Sequence, residues 1–194
     1  MFNDFKLFFF EGLNHVLDWQ AYDHILFIAL LALPYAFKNW KRLIWLVTVF
    51  TIGHSASIVL SSYNILIPNT YYIELLIPAS IILAGIYTLF VGSKSKTKQS
   101  GFFIIAAITL FFGVIHGFGF AGYLKSIVPA GESIWLFILY FALGIEVAQL
   151  VIVFVVLLLG FIFQSVFRYS TREWVSIVAA LIIGMTIPML LERL

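Results

Sequence analysis

Six long apolar segments, joined by short polar loops, make up most of this chain. They lie at about 21–37, 43–61, 71–91, 101–123, 133–167 and 174–190. A helix needs about 20 mostly apolar residues to cross a bilayer, so each segment predicts a membrane span. The fifth is overlong, and we expect it to tilt or to extend beyond the bilayer. The sequence therefore predicts an all-α polytopic membrane helix bundle, with six transmembrane helices in a single integral membrane domain over residues 1–194.

Composition supports this class of protein. Hydrophobic residues make up 63% of the chain and charged residues 10%, whereas soluble domains contain about 25% charged residues. The net charge is +2, and the basic residues cluster in short loops rather than on one face, which argues against a nucleic-acid partner. Asp4 and Glu11 interrupt a short apolar run over residues 1–18. That segment is not typical of a secretory signal, and it predicts an interfacial or re-entrant helix.

Basic residues are concentrated in alternate loops, which predicts an orientation. They are Lys38, Lys41, Arg42, Lys94, Lys96, Lys98, Arg168 and Arg172, whereas the intervening loops hold Lys125 with Glu132. By the positive-inside rule, the basic loops face the cytoplasm. We therefore predict a multi-pass protein of the inner (cytoplasmic) membrane with both termini outside. The lipid bilayer is its first predicted partner.

All four histidines lie inside or at the edge of apolar segments, and each has a polar or acidic residue nearby. They are His15, His24, His54 and His116. A charged group at the centre of a membrane helix costs about 3 kcal/mol or more, and buried ionisable residues usually mark function. The alternative, isolated core histidines that each find a hydrogen bond, explains one such residue more easily than four.

The predicted topology converts sequence positions into depths. At about 1.5 Å rise per residue, His24, His54, Glu74 and His116 fall within about 5–12 Å of the outer boundary, and Glu146 about 16 Å below it. Polar residues distant in sequence therefore share one level. We expect a polar site that faces the outside.

Acidic neighbours of the first two histidines suggest two roles. Asp23 precedes His24, where a carboxylate can fix the tautomer of a metal-binding imidazole. Its alternative role is a favourable charge at a solvated helix N-terminus. Glu11 and Asp18 share a helical face with His15. That face either contacts water or covers the outer mouth of the site as a lid.

Polar residues within the later spans extend the predicted site. Thr51 shares a face with His54, in an arrangement that also suits hydrogen bonding between membrane helices. Pro78 lacks an N–H and frees the carbonyl of Glu74, a possible cation ligand. A lone Glu146 in the membrane would be protonated or paired with a cation. The residues predicted to support the site are Glu11, Asp18, Thr51, Ser55, Glu74 and Gln149.

The donor types indicate a class of metal. Imidazoles with carboxylates suit a borderline divalent transition metal such as Ni²⁺, Zn²⁺ or Fe²⁺. Purely carboxylate sites suit Ca²⁺ or Mg²⁺ better. The chain has no cysteine, so a thiolate ligand is excluded.

The order of these motifs resembles the HupE/UreJ membrane proteins along nearly the whole chain. The resemblance rests on five stretches: His15 to Asp23-His24-Ile25-Leu26-Phe27, Phe50 to Ser55, Glu74 followed by Pro78, Phe112 to Phe120, and Gly144 to Gln149. It implies a hydrogenase or urease accessory protein, with nickel uptake as the usual proposed role and a possible partner in metalloenzyme maturation. It also implies a metal site formed by His15, Asp23, His24, His54, His116 and Glu146.

Three functions remain open at this point. The first is uptake or acquisition of a divalent metal, although the inner half of the membrane offers few polar residues for a path. The second is an intramembrane metal-dependent hydrolase acting on a lipid or membrane-anchored peptide, with Asp23, Glu74 or Glu146 as general base. The third is a non-catalytic accessory protein that presents the metal to a partner.

Overall fold

The fold consists of α-helices. The computed structural model describes residues 2–91, 99–128, 132 and 134–194, and this part of the chain contains no strand. The helices are α1 (Phe2–Leu17), α2 (Asp23–Ala32), α3 (Trp40–Ser62), α4 (Thr70–Val91), α5 (Gln99–Ile127), α6 (Ile134–Ser165) and α7 (Thr171–Leu191), and a short 3₁₀ turn (Phe37–Asn39) precedes α3. The predicted all-α class is confirmed.

Helices α3 to α7 are each long and apolar enough to cross a membrane. Their bounds lie within a few residues of the corresponding predicted spans, because an unbroken apolar run and polar ends define such a helix well. These five helices support the predicted helical membrane bundle. Lys94, Lys96 and Lys98, and the predicted start of the fifth span at residue 133, lie outside the described residues.

The structure corrects the first predicted span, residues 21–37. Helix α2 has 10 residues and is about 15 Å long, half of the roughly 30 Å hydrocarbon core. It ends just before Pro34, because proline has no N–H to donate the backbone hydrogen bond that would continue the helix. Helix α2 alone is too short to cross the bilayer.

Helix α1 packs closely against the first part of α6. A Cβ atom added to Gly12 would lie 2.1 Å from the Phe141 carbonyl oxygen, and one added to Gly144 would lie 2.0 Å from that of Phe9. Glycines therefore let the two backbones touch, as small residues do between membrane helices. Phe8 is buried at this contact. The predicted interfacial or re-entrant segment is a packed member of the bundle.

Helices α3 and α5 make a second backbone contact through glycine. A Cβ atom added to Gly113 would lie 2.3 Å from the Phe50 carbonyl oxygen, and one added to Gly117 would lie 2.2 Å from that of His54. His116 lies between these two glycines in sequence. The contact therefore fixes the backbones of two histidine-bearing helices at a short separation.

Helix α2 packs against α3 and α5 through aromatic rings. The Phe27 ring lies 5.3 Å from that of Phe50 on α3 and 5.0 Å from that of Phe112 on α5, between ring centroids. All three rings are buried. These rings form an apolar layer beside His24, at the start of α2.

Candidate metal centre

Four helices bring their histidines to one place, which we call the histidine cluster. It contains His15 near the end of α1, His24 at the start of α2, His54 in α3 and His116 in α5. The His24 ring centroid lies 4.6 Å from that of His15, 5.8 Å from that of His54 and 5.0 Å from that of His116. His24, His54 and His116 are at most 3% exposed, so the cluster lies in the protein interior.

Three of the four imidazoles have the spacing of a potential ligand set. His15, His24 and His54 each offer one nitrogen, and these atoms lie within 4.8 Å of one another. Nitrogens bound to one tetrahedral ion at about 2.0–2.1 Å lie about 3.3 Å apart. A modest inward movement of the rings would therefore complete a three-histidine site. His116 lies beside His24 as a further potential donor.

Hydrogen bonds determine which ring nitrogen is available in two of the histidines. The Phe112 carbonyl can only accept, so His116 Nδ1 carries a hydrogen and donates it at 2.8 Å. Asp23 Oδ1 lies 2.9 Å from His24 Nδ1 and also accepts the His24 backbone N–H at 2.7 Å. Both rings therefore keep Nε2 as the atom with a free lone pair, the usual arrangement for a metal-binding imidazole.

The free nitrogens have no hydrogen-bond partner in the part of the chain that the structure describes. This is true of Nε2 in all four histidines and also of Nδ1 in His54. Buried polar atoms are nearly always paired, and each unpaired one costs about 1–3 kcal/mol. One cation in the middle of the cluster would satisfy several of them together. The residues thus fit a metal ion better than they fit an apolar core.

A surface cleft of about 540 Å³ adjoins the cluster. It is lined by Glu11, Asn14, His15, Leu17, Asp18, Trp19, Gln20, Phe120 and Tyr123. His15 is the member of the cluster that lines it. Glu11 accepts a hydrogen bond from the Tyr123 hydroxyl at 3.3 Å, and Asp18 accepts one from the Gln20 backbone N–H at 2.8 Å. Two acidic residues therefore border the cleft beside His15.

An aromatic pair adjoins the point where the cleft meets the cluster. The Phe120 ring lies 4.0 Å from that of His15 and stacks on Phe141 at 4.7 Å, with an interplanar angle of 6°. Sequence analysis missed both residues. The signal for Phe120 was its position four residues after His116, which puts the two on one helical face.

Two carboxylates of the predicted site lie elsewhere. Glu74 forms an ion pair with Arg193 near the C-terminus, where both side chains are about half exposed. Glu146 is hydrogen-bonded by threonines of α3. The structure therefore does not group either acid with the histidines. Depth alone could not show this, because residues at one level of a bundle can face different neighbours.

Three further predicted residues lie around these groups. Thr51 and Gln149 are buried on the Glu146 side of α3, with Thr51 Oγ1 and Gln149 Oε1 3.1 Å apart. Ser55 follows His54, is partly buried and projects about 100° from it around the helix. Sequence analysis missed Thr48, although it lies three residues before Thr51 and therefore on nearly the same face.

Comparison with known proteins identifies the family. The model of the HupE / UreJ protein family matches residues 1–192. The chain belongs to the HupE/UreJ family. The match covers every helix of this HupE/UreJ protein, so the histidine cluster and its cleft lie within the matched region. Comparisons with curated proteins and with solved structures give no match.

Proposed function

We propose that this HupE/UreJ protein takes up a divalent transition metal, binding it at the histidine cluster before it moves inward. The observation that carries this proposal is the set of buried, unpartnered Nε2 atoms from four separate helices. A fold gains no stability from leaving these atoms unpaired. Their convergence is explained if the cluster exists to bind an ion.

The donor chemistry favours nickel, zinc or iron as the transported ion. Neutral imidazoles suit these borderline metals, and the Asp23 carboxylate behind His24 increases the basicity of the ring. Nickel is the first candidate, because members of this family are regarded as accessory proteins of hydrogenase and urease. A protein of metalloenzyme maturation is then the expected recipient.

The cleft supports a function that begins with capture of a cation. Glu11 and Asp18 border it, and acidic groups at the mouth of a cleft raise the local concentration of cations. His15 lines the cleft and also belongs to the histidine cluster. With the basic loops on the cytoplasmic side, as the positive-inside rule predicts, an ion from the extracytoplasmic side would meet His15 first.

The hydrolase alternative has less support, because Glu74 and Glu146 lie away from the histidine cluster and Asp23 is hydrogen-bonded to His24. Asp23 accepts two hydrogen bonds from His24, Glu74 pairs with Arg193, and Glu146 accepts from two threonines. A general base must reach the proton that it abstracts, directly or through one water. A metal-binding accessory role without transport remains the second alternative, and uptake measurements separate it from the first.

Uptake of radioactive Ni²⁺ into proteoliposomes tests the proposal. We expect His54→Gln to abolish both uptake and tight Ni²⁺ binding, since it removes a ligand but nearly preserves side-chain volume. Thr186→Val is the matched control. Thr186 is also fully buried, and its hydroxyl donates to the Ile182 carbonyl of its own helix, so this variant should retain both.

The outcomes distinguish the functions. Unchanged binding and uptake in His54→Gln would contradict the proposal. Tight, histidine-dependent binding by the wild type without uptake would favour the accessory role.

A further inference from the structure

A second polar group lies between α3 and α6, one helical turn from the histidine cluster. Thr51 precedes His54 by three residues, about 4.5 Å along the helix axis. Thr48 Oγ1 lies 2.6 Å from Glu146 Oε1, and Thr51 Oγ1 lies 2.7 Å from Glu146 Oε2. Gln149 Oε1 lies 3.1 Å from Thr51 Oγ1. We call these four side chains the inner oxygen site.

Thr51 has more oxygen neighbours than its single hydroxyl hydrogen can pair. The Thr51 hydroxyl has one hydrogen but faces three acceptors: Glu146 Oε2, Gln149 Oε1 and the Val47 carbonyl. The Thr48 hydrogen is used by Glu146 Oε1. With Glu146 ionised and the Gln149 amide oxygen facing Thr51, two of these three approaches have no hydrogen between them.

Gln149 provides an independent sign of a missing ligand. The side chain is 0% exposed, and its Nε2 atom has no hydrogen-bond partner among the described residues. Turning the amide over exchanges the two terminal atoms, so one of them remains unpaired in either orientation. A buried amide in this state is costly.

The hydrogen-bond partners of Glu146 are also uncharged. The hydrogen bonds that it receives come from neutral hydroxyls. Across the described part of the chain, the ion pairs that the structure shows involve Asp23 and Glu74, and none includes Glu146. An ionised carboxylate within a membrane helix normally has a cationic partner.

We propose that the inner oxygen site is a second cation-binding site, which receives the metal from the histidine cluster on its way inward. This inference rests on the proposed uptake function and specifies its next step. The metal would be held by the Glu146 carboxylate, with oxygens of Thr48, Thr51 and Gln149 as further ligands. A cation at this place satisfies the surplus oxygens and balances the carboxylate charge.

The two sites differ in a way that suits transfer. Oxygen ligands bind borderline transition metals less strongly than imidazoles do. Movement through a membrane requires sites that bind well enough to admit an ion and weakly enough to release it. The histidine cluster is then the capture site, and the inner oxygen site is the release site.

Counting bound Mn²⁺ tests the inference. Mn²⁺ accepts oxygen ligands, and the electron paramagnetic resonance signal of the free ion gives the bound amount by difference. We expect the purified full chain to bind two Mn²⁺ ions, and Glu146→Gln and His54→Gln to bind one each. Glu74→Gln is the matched control, because it removes a carboxylate from the ion pair with Arg193, and it should still bind two.

Threonine variants keep the test informative if Glu146→Gln fails to fold. Thr51→Ser retains the hydroxyl and should bind two Mn²⁺ ions, whereas Thr51→Val should lose the weaker one. Two ions bound to Glu146→Gln, or one bound to the wild type, would overturn the inner oxygen site. Tight Ni²⁺ binding that survives His54→Gln would instead overturn the proposed function, so the two failures are distinguishable.

Discussion

At the scale of single residues, hydrogen bonds prepare the imidazoles for a ligand. Asp23 holds His24 through Nδ1, and the Phe112 carbonyl holds His116 in the same way. The free nitrogens of both rings are buried and unpaired. The rotation of each ring is therefore set before any ion arrives.

Substitution of Asp23 tests this preparation. We predict that Asp23→Asn lowers Ni²⁺ affinity about 10–100-fold, because His24, a proposed ligand, loses a charged hydrogen-bond partner. Competition with a chromophoric chelator measures the change. Glu74→Gln serves as the control and should leave the affinity unchanged. An Asp23→Asn affinity equal to the wild-type value would show that the carboxylate does not act on the metal site.

The sequence predicted which histidines share one level better than it predicted which other residues lie beside them. Depths inferred from the spans placed His24, His54 and His116 at one level, and the structure brings these rings together with His15. The same reasoning could not separate Glu146 from the histidines. Depth supplies one coordinate, whereas contact also depends on which helices adjoin and how each is rotated.

At the scale of helices, glycine contacts hold the site together. Gly117 of α5 lies against His54 of α3, and Gly12 of α1 lies against Phe141 of α6. Each contact lies close to a histidine of the cluster. Separation of either helix pair would therefore move an imidazole away from its neighbours.

Alanine at Gly117 tests the role of close packing. Its Cβ atom would lie 2.1 Å from Ser57 Oγ and 2.2 Å from the His54 carbonyl oxygen, so α3 and α5 must move apart. We predict destabilisation of about 1–3 kcal/mol or more, together with weaker Ni²⁺ binding.

Gly122→Ala is the control in the same helix. A Cβ atom there has nothing within 4 Å, so the change should be neutral or stabilise the helix by up to about 1 kcal/mol. Thermal unfolding and Ni²⁺ titration of both variants provide the measurements. Equal stability and affinity in the two variants would contradict the packing argument.

Helix lengths show which part of the fold could be predicted. The spans of α3 to α7 followed from apolar runs, whose ends are marked by polar loops. The prediction for α2 was too long because the apolar composition continues past Pro34, although the helix does not. An apolar composition allows a segment to lie in lipid, whereas proline lacks the N–H that a continuing helix needs.

At the scale of the whole molecule, the cleft, the histidine cluster and the inner oxygen site follow one another along the bundle. The cleft meets the cluster at His15, and the inner oxygen site lies beyond His54 on α3. Under the predicted orientation, this series runs from the extracytoplasmic side inward. The same orientation puts the acidic border of the cleft where external cations arrive.

Labelling from one side of the membrane tests this orientation. The chain has no cysteine, so single cysteines can be introduced without background. Glu132 and Tyr169 are both exposed, in the loops before and after α6. We predict that an impermeant maleimide added outside labels Glu132→Cys but not Tyr169→Cys in intact cells. The reverse pattern would contradict the predicted orientation and the proposed direction of uptake.

The central claim is that the four histidines bind a metal ion, and X-ray absorption spectroscopy of the Zn²⁺-loaded protein tests it most directly. The account predicts at least three imidazole nitrogens at about 2.0–2.1 Å from the ion, with imidazole scattering that weakens in His54→Gln. A first shell composed of oxygen atoms, unchanged by that substitution, would contradict it.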